Sequence, residues 1–279
     1  MPLPFDHSPN PSFTEAFCRH RGNIADKWEG YLAVYDEILQ RKRSECANFL
    51  EIGVNNGGSL EVFAEYFRRA KTITGVDINP LCELIPFQDQ RIHVIIGDSN
   101  SSEVNQRLVK RAESYDLILD DGSHHSSDII HTFVNLAGLV SPGGTYIIED
   151  LCCSYWQEFG GGVNSHVSAM GFLKKLVDIV NFEHWNSAYS LADYLGDSGV
   201  ANVPTDSLQR LSTIRSISFY NSICVIDFAT ISSEGAIGKR ICRGSQALAG
   251  YIPVNGQGIK EVGADQSNNP LNTRQSPSP

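Results

Sequence analysis

The sequence predicts an α/β protein with a doubly wound, mostly parallel sheet that ends in an antiparallel hairpin. Short apolar segments alternate with helical or polar segments, a pattern typical of βαβ units and a buried parallel sheet. A cluster of glycines follows the first of these apolar segments, as in a tight strand-to-helix turn. Two later apolar segments are separated only by Asn221 and Ser222, which predicts the hairpin.

An amphipathic helix is predicted ahead of the sheet, in an N-terminal segment that spans residues 1–44. Its apolar side chains fall at helical spacing on one face: Trp28, Tyr31, Leu32, Tyr35, Ile38 and Leu39. Residues 1–12 carry four prolines, a composition that favours a loose end.

The sheet domain is predicted over residues 45–232. The predicted strands are 48–52, 72–77, 93–96, 115–120 and 145–149, followed by the hairpin strands 216–220 and 223–228. Residues 163–210 are predicted to be mostly helical. Residues 233–279 form a C-terminal extension that is expected to be largely flexible, because its end is rich in Asn, Gln, Ser, Pro and Gly.

The composition favours a cytoplasmic enzyme or a small-molecule binder. No stretch of the 279 residues reaches the roughly 18 uninterrupted apolar residues that cross a bilayer, and the first residues lack the pattern of a signal peptide. A net charge of -10 argues against nucleic acid as the main partner. The 7 cysteines, an odd number without a Cys-x-x-Cys pair, are typical of reduced thiols and give no structural zinc motif.

The first predicted strand ends in a turn that allows a ligand to approach the backbone closely. Residues 51–59 read Glu-Ile-Gly-Val-Asn-Asn-Gly-Gly-Ser, which is not the Gly-x-Gly-x-x-Gly fingerprint of dinucleotide sites. A glycine cluster alone would favour a tight turn without a ligand. Asp77 and Asp98 follow the next two strands, however, and open α/β sheets bind ligands at the carboxyl ends of their strands. The three positions together therefore favour a ligand site.

These segments resemble the class I S-adenosylmethionine-dependent methyltransferases. In that family Glu-x-Gly-x-x-x-Gly contacts the methionine end of the cofactor, the next acid holds the ribose, and the third meets the adenine. The resemblance covers roughly residues 45–230 and implies a Rossmann-like methyltransferase sheet. The cofactor residues that it implies are Glu51, Gly53, Gly57, Asp77 and Asp98, and Asn55, Ser59 and Ser99 beside them are predicted to join the site. Asp120 ends the fourth strand and is also a predicted cofactor residue, with a helix-cap role or metal binding as alternatives.

Three carboxylates follow the fourth and fifth predicted strands and predict a cation site. Asp121 lies in the run Leu-Asp-Asp-Gly-Ser-His-His, and Glu149 and Asp150 end the next strand. Neighbouring strands lie roughly 4.8 Å apart, so these side chains are expected to meet. Neither segment contains a Lys or Arg to balance the carboxylates. Oxygen ligands favour Mg²⁺, with Mn²⁺ or Ca²⁺ as alternatives.

His124 lies three residues beyond Asp121 and is the predicted general base. An imidazole beside a metal-held hydroxyl is well placed to take its proton. His125 is predicted to be structural or to face solvent. Tyr155 and Trp156 follow in the next loop and are predicted substrate contacts, with packing of the loop onto the core as the equal alternative.

Three runs in this part of the sequence resemble the metal-dependent sugar O-methyltransferases of macrolide and related natural-product pathways. They are Asp-Asp-Gly-Ser-His-His, the later Ile-Glu-Asp and the Ser-Tyr-Trp after it. Residues 26–28, Asp-Lys-Trp, with Tyr31 and Tyr35 resemble the helix that precedes the cofactor domain in that family. Cys153 stands where family members often carry Thr. The Mg²⁺ ligands and the base that this resemblance implies are Asp121, Glu149, Asp150 and His124.

The implied activity is Mg²⁺-dependent transfer of the methyl group of S-adenosylmethionine to a hydroxyl of a sugar or glycosylated natural product. The implied partner is a small-molecule acceptor, with no nucleic acid or membrane involved, and related enzymes are commonly homo-oligomers. A catechol-type metal-dependent O-methyltransferase and a non-catalytic binding module on the same fold are the alternatives. The same fold and metal motif also occur in cephalosporin hydroxylases, so the motif alone does not fix the reaction.

Overall fold

The computed structural model describes residues 10–185, 189–230, 237–244, 246, 255–257 and 265–272. Its strands are β1 (Asn48–Ile52), β2 (Thr72–Asp77), β3 (Ile92–Ile96), β4 (Tyr115–Asp120), β5 (Val140–Ile148), β6 (Ile214–Tyr220) and β7 (Ile223–Phe228). They form one sheet in the order β3-β2-β1-β4-β5-β7-β6. The predicted flexibility of the extension at 233–279 concerns residues that lie largely outside the described ones.

The sheet confirms the predicted fold class. Strands β1 to β5 pair in parallel, whereas β7 runs antiparallel between β5 and β6. The strand order reverses between β1 and β4, and this switch point opens a crevice at the carboxyl ends of the two strands. The hairpin turns at Asn221 and Ser222, as predicted.

Strand β5 begins earlier than the sequence pattern predicts, at Val140 instead of Thr145. The intervening residues, Ser-Pro-Gly-Gly, have the composition of a turn, which hides the strand in the sequence. The pairing of β5 with β4 is irregular at this point, because the register shifts between Tyr115 and Leu117.

The helices are α1 (Phe13–Arg19), α2 (Glu29–Leu39), α3 (Gly58–Tyr66), α4 (Ser102–Arg111), α5 (Ser126–Leu136), α6 (Ala169–Val180), α7 (Leu191–Gly196) and α8 (Thr205–Leu211). Helices α6 to α8 account for most of the region 163–210 that is predicted to be helical. Among the residues that the structure describes, no helix is long and apolar enough to cross a membrane.

The N-terminal helices pack on one face of the sheet through an aromatic cluster. The ring of Phe13 in α1 lies 4.7 Å from that of Tyr35 in α2 and 5.0 Å from that of Phe63 in α3. Phe49 of β1 stacks on Phe63 at 4.3 Å. Aromatic pairs of this kind contribute roughly 0.5–1.5 kcal/mol each beyond their buried area. Helices α1 and α2 are therefore fixed against the strand that leads to the glycine-rich turn.

Helix α2 differs from its prediction at its first residue. Tyr31 and Tyr35 are buried as the apolar spacing predicts, but the helix begins at Glu29 and Trp28 caps its start. Trp28 is 66% exposed, so it does not join the buried face. The helix points this end toward the carboxyl ends of β4 and β5, as the contacts described below show.

Candidate active site

The carboxyl ends of the central strands are aligned by the sheet register. Ile52 of β1 pairs with Asp120 of β4, and Asp120 pairs with Ile148 of β5. The next backbone groups continue this alignment, because Asp121 N donates to Ile52 O at 2.9 Å and Glu149 N donates to Asp120 O at 3.0 Å. The residues that follow each strand therefore emerge side by side at one edge of the sheet.

A cavity of about 320 Å³ lies at this edge, on the side of β1 to β3. The predicted cofactor residues that line it are Gly53, Asp77, Asp98, Ser99 and Asp120. The remaining predicted cofactor residues, Glu51, Asn55, Gly57 and Ser59, are not among its lining residues. The cavity spans the positions after three consecutive strands, as the sequence predicts for a ligand site.

Gly53 lets the chain turn from β1 into the glycine-rich loop. Its φ is +92°, and a Cβ on this residue would lie 2.0 Å from the carbonyl oxygen of Asp121. A side chain therefore fits neither the backbone conformation nor the space. This close approach brings the loop after β1 against the turn after β4, where the cavity and the acidic residues meet.

The carboxylate of Asp77 holds the glycine-rich loop. Its Oδ2 accepts from the backbone N–H of Val54 at 2.8 Å and of Asn55 at 3.0 Å, and its Oδ1 accepts from that of Asn79 at 2.8 Å. Burial opposes the charge, but these backbone donors outweigh it and lower the pKa of Asp77. Asp77 therefore remains ionised and fixes the loop beside the cavity. Asn55 takes part in this contact through its backbone N–H.

Glu51 is fully buried at the end of β1. Ser59 Oγ donates to its Oε1 at 2.6 Å, while its Oε2 has no hydrogen-bond partner among the described residues. Burial raises the pKa of Glu51 to about 8. A buried carboxyl oxygen without a hydrogen-bond partner suits a ligand that brings a polar group to it. Gly57, with φ +81°, lies at the start of α3, and a Cβ there would lie 2.7 Å from the ring of Phe87.

Asp98, Ser99 and Asp120 complete the far wall of the cavity. Asp98 Oδ1 accepts from the backbone N–H of Asn100 at 2.8 Å, and Ser99 Oγ lies 3.2 Å from Thr132 Oγ1. Burial raises the pKa of Asp120 to about 7. Asp120 thus belongs to the cavity side of β4, whereas the next residue along the chain turns to the other side.

On that other side, Asp121, His124 and Asp150 offer ligand atoms that all lie within 4.8 Å of one another. His124 Nε2 is 3.5 Å from Asp150 Oδ2 and 3.9 Å from Asp121 Oδ1. Two carboxylates and an imidazole are suitable ligands for a divalent cation. Glu149, the third predicted ligand, does not belong to this group. It lies buried beside it.

Two members of this group have unusual backbone conformations. His124 has φ +57° and Asp150 has φ +52°, both in the left-handed region that few residues other than glycine adopt. Such residues cost free energy and persist where the surrounding structure holds them, often at functional sites. These conformations bring the two side chains together from different strands.

Lys27 is a member of the site that the sequence analysis missed. Its Nζ lies 2.5 Å from Asp121 Oδ2 and 2.5 Å from Glu149 Oε2, and its side chain is only 2% exposed. Burial opposes the charge of the ammonium, but the carboxylates of Glu149 and Asp121 outweigh it and raise the pKa of Lys27. The expectation that these carboxylates lack a basic partner is therefore wrong. Lys27 reaches them from a remote segment, ahead of α2.

Three aromatic side chains of the same segment also contact the acidic residues. Tyr35 OH donates to Glu149 Oε1, Tyr31 OH donates to Asp150 Oδ1 at 2.6 Å, and Trp28 Nε1 donates to the same Asp150 oxygen at 3.2 Å. The sequence carried one signal for these residues, the resemblance of residues 26–28 and the two tyrosines to a family helix. An acidic cluster without a local base is a second signal.

The predicted substrate contacts lie in a tightly bonded loop after Asp150. Tyr155 and Trp156 are 44% and 48% exposed. The loop closes on itself, since Gly161 N donates to Trp156 O at 2.9 Å. His125 lies outside the cation group, with its Nδ1 3.1 Å from Ser127 Oγ.

A comparison with protein families assigns this region. Residues 50–151, which include β1 to β5 and the acidic residues, match a family model described as a methyltransferase domain. The chain contains a methyltransferase domain. Its boundaries cover the whole cavity and the predicted ligands, so the geometry and the comparison concern the same part of the molecule.

Two proteins similar to this chain are named as O-methyltransferases. The 8-demethyl-8-alpha-L-rhamnosyl tetracenomycin-C 2'-O-methyltransferase of Streptomyces olivaceus is 30% identical over 225 residues, which cover 77% of this chain and 55% of that protein. The demethylmacrocin O-methyltransferase of Streptomyces fradiae is 33% identical over 184 residues, 61% of this chain and 45% of that protein. The chain thus spans about half the length of these relatives.

A solved structure with the same fold is the MycE methyltransferase from the mycinamycin biosynthetic pathway, in complex with Mg, SAH and mycinamycin VI. It has a TM-score of 0.64 and 26% sequence identity, and the match covers 82% of this chain and 57% of that chain. The methyltransferase domain therefore shares both fold and detectable sequence similarity with an enzyme whose complex contains Mg, SAH and mycinamycin VI.

Proposed function

We propose that the chain catalyses transfer of the methyl group of S-adenosylmethionine to a hydroxyl of a sugar carried by a small-molecule acceptor. The observation that carries this proposal is the group formed by Asp121, His124 and Asp150 beside the cavity of the methyltransferase domain. The similarity to O-methyltransferases named for a rhamnosylated tetracenomycin and for demethylmacrocin supports the glycosylated acceptor.

The position of the cavity and the residues around it support S-adenosylmethionine as its ligand. It lies at the switch point of the sheet, where open α/β sheets bind nucleotide-like ligands, and it combines carboxylates with a glycine turn that has no room for a side chain. Glu51, at the end of β1 next to the lining residues Ile52 and Gly53, has a buried Oε2 without a hydrogen-bond partner among the described residues. The residues proposed to line or shape the cofactor site are Glu51, Gly53, Asn55, Gly57, Ser59, Asp77, Asp98, Ser99 and Asp120. When bound, the cofactor supplies an activated methyl group.

Asp121 and Asp150 are the proposed ligands of a divalent cation, with Mg²⁺ preferred and Mn²⁺ or Ca²⁺ as alternatives. When bound, the cation supplies positive charge beside the acceptor hydroxyl. Glu149 is the third ligand that the sequence predicts, and His124 is the third member of the group in the structure. His124 cannot be both a cation ligand and the general base through the same nitrogen, because an imidazole nitrogen bound to a cation cannot take a proton.

We assign His124 to the proton. Its Nε2 lies 3.5 Å from Asp150 Oδ2 and 3.9 Å from Asp121 Oδ1, where it can accept the proton of an acceptor hydroxyl held beside these carboxylates. As the hydroxyl oxygen bonds to the methyl carbon, the bond between carbon and sulfur breaks. The products are the methyl ether, S-adenosylhomocysteine and a protonated imidazole. The protein contributes alignment, because the sulfonium donor is already activated.

The acceptor is proposed to lie against Tyr155 and Trp156, whose exposed rings follow the cation ligands in the chain. A cytoplasmic location is proposed because all seven cysteines are free thiols.

The test is methyl transfer from S-adenosylmethionine to a panel of glycosylated polyketides, their aglycones and catechols, each with Mg²⁺ and with EDTA. We expect products from the glycosides with Mg²⁺ and none from the aglycones, with mass spectrometry placing the new methyl group on the sugar. Methylation of catechols alone would replace the proposal with a catechol-type activity. A protein that binds no S-adenosylhomocysteine and methylates nothing would be a binding module.

A further inference from the structure

The oxygens of the acidic group are divided between two kinds of partner. One set of oxygens accepts from side chains of the segment that runs into α2, at residues 27–35. The other set faces His124. This division holds for both carboxylates that we propose as cation ligands, Asp121 and Asp150.

Asp150 shows the division most clearly. Its Oδ1 accepts from Tyr31 OH at 2.6 Å and from Trp28 Nε1 at 3.2 Å, whereas its Oδ2 lies 3.5 Å from His124 Nε2. Tyr31 OH also accepts from the backbone N–H of Asp150 at 3.3 Å. Tyr31 therefore contacts both the carboxylate and the backbone N–H of Asp150, and this fixes which carboxylate oxygen faces His124.

Asp121 follows the same rule with a different donor. Its Oδ2 lies 2.5 Å from Lys27 Nζ, and its Oδ1 lies 3.9 Å from His124 Nε2. Glu149 completes the arrangement, because its two oxygens accept from Lys27 and Tyr35. Glu149 thus holds the ammonium that in turn holds Asp121.

The two tyrosine donors are held by packing that does not depend on the site. Tyr35 and Phe13 are buried in the aromatic cluster between α1, α2 and α3, with their rings 4.7 Å apart. Tyr31 is buried on the same helix. A rigid donor on a packed helix can orient a carboxylate that would otherwise rotate between equivalent positions.

We propose that Lys27, Trp28 and Tyr31 are positioning residues that direct Asp121 Oδ1 and Asp150 Oδ2 toward the bound cation. The inference rests on the cation of the proposed function, and it makes the N-terminal segment a working part of the site. Groups that hydrogen-bond to metal ligands typically change metal affinity by roughly 10- to 100-fold when they are removed. Removing the hydroxyl of Tyr31 is expected to weaken metal affinity by an amount at the lower end of that range. Removing the indole N–H of Trp28 as well is expected to weaken it further.

The experiment measures Mn²⁺ affinity by electron paramagnetic resonance of the free ion, without cofactor or acceptor. The variants are Tyr31→Phe and the double variant Trp28→Phe/Tyr31→Phe, which keep the rings and remove only donors. Tyr220→Phe is the matched control, because Tyr220 OH donates to Glu37 Oε1 of α2 at 3.1 Å, outside the acidic group. Melting temperatures in EDTA report any general loss of structure.

We expect Tyr31→Phe to weaken Mn²⁺ binding about 10-fold and the double variant to weaken it further, while Tyr220→Phe binds as the wild type does. Wild-type affinity in the double variant would overturn the positioning role and leave the proposed function intact. Equal weakening in Tyr220→Phe would assign the effect to α2 as a whole and also overturn it. A wild-type protein that binds no Mn²⁺ would instead reject the cation of the proposed function.

Discussion

The two sides of the active site are assembled from the chain in different ways. On the cofactor side, Asp77 accepts from the backbone of Val54 and Asn55 in the adjoining loop, only 23 and 22 residues away in sequence. On the cation side, Lys27 reaches Asp121 across 94 residues. Local motifs therefore build the first side, and a segment remote in sequence completes the second. Substitutions on the two sides are expected to separate into effects on cofactor affinity and effects on turnover or stability.

The largest effect is expected at His124. Replacing it with Ala removes the group that we propose takes the proton, so turnover should fall roughly 100-fold or more. The affinity for S-adenosylhomocysteine, measured by calorimetry, should stay close to that of the wild type, because His124 lies outside the cofactor cavity. His125→Ala is the control and should keep most of the activity. Loss of cofactor binding in His124→Ala would contradict the separation of the two sides.

Lys27→Met should cause the largest loss of stability. It leaves Glu149 and Asp121 without their buried counter-charge, and breaking a buried ion pair costs about 3–5 kcal/mol of unfolding free energy. Lys42→Met is the matched control, since Lys42 Nζ donates to the carbonyl of Gly143 at 2.9 Å away from the acidic group. Its loss should be about 1.5 kcal/mol. If urea denaturation gave equal losses of unfolding free energy for the two variants, the ion pairs of Lys27 would stabilise the fold no more than the hydrogen bond of Lys42 does.

Asp77→Asn tests the local side. The variant loses the charge that holds the backbone of Val54 and Asn55, so S-adenosylhomocysteine should bind about 10-fold more weakly, while Mn²⁺ affinity stays unchanged. Asp89→Asn is the control, because Asp89 pairs with Arg91 and does not line the cavity. A fall in Mn²⁺ affinity in Asp77→Asn would mean that the two sides are coupled.

The smallest effect is expected at Trp156. Trp156→Ala removes an exposed ring from the loop after Asp150, so the KM for the acceptor should rise about 3- to 10-fold, the equivalent of roughly 0.5–1.5 kcal/mol. Trp156→Phe should retain most of the wild-type KM. An unchanged KM in the Ala variant would favour the alternative that the ring only packs the loop.

The sequence predicted the sheet and the clustering of Gly53, Asp77 and Asp98 around one cavity because both depend on local signals. Alternating apolar segments set the strands, and the carboxyl ends of parallel strands bring Gly53, Asp77 and Asp98 to one edge whatever the helices do. The start of strand β5 was predicted five residues too late, since the run Ser-Pro-Gly-Gly resembles a turn. That error lies at the end remote from the site.

The cation side was predicted only in part. The pattern placed Asp121, Asp150 and His124 together, but the partner of Glu149 could not be read from its own segment. Lys27 lies 122 residues away, and its position depends on how α2 packs on the sheet, which is a tertiary property. Helical spacing placed Trp28 on the apolar face, whereas capping of α2 leaves it beside Asp150.

The most direct test of the account is a calorimetric titration of S-adenosylhomocysteine into the purified chain, once with Mg²⁺ and once with EDTA. The structure separates the cavity after β1 to β3 from the group of Asp121, His124 and Asp150. We therefore predict binding in both conditions, with similar affinity. Absence of binding in both would contradict the assignment as an S-adenosylmethionine-dependent enzyme, and binding with Mg²⁺ alone would contradict the independence of the two sides.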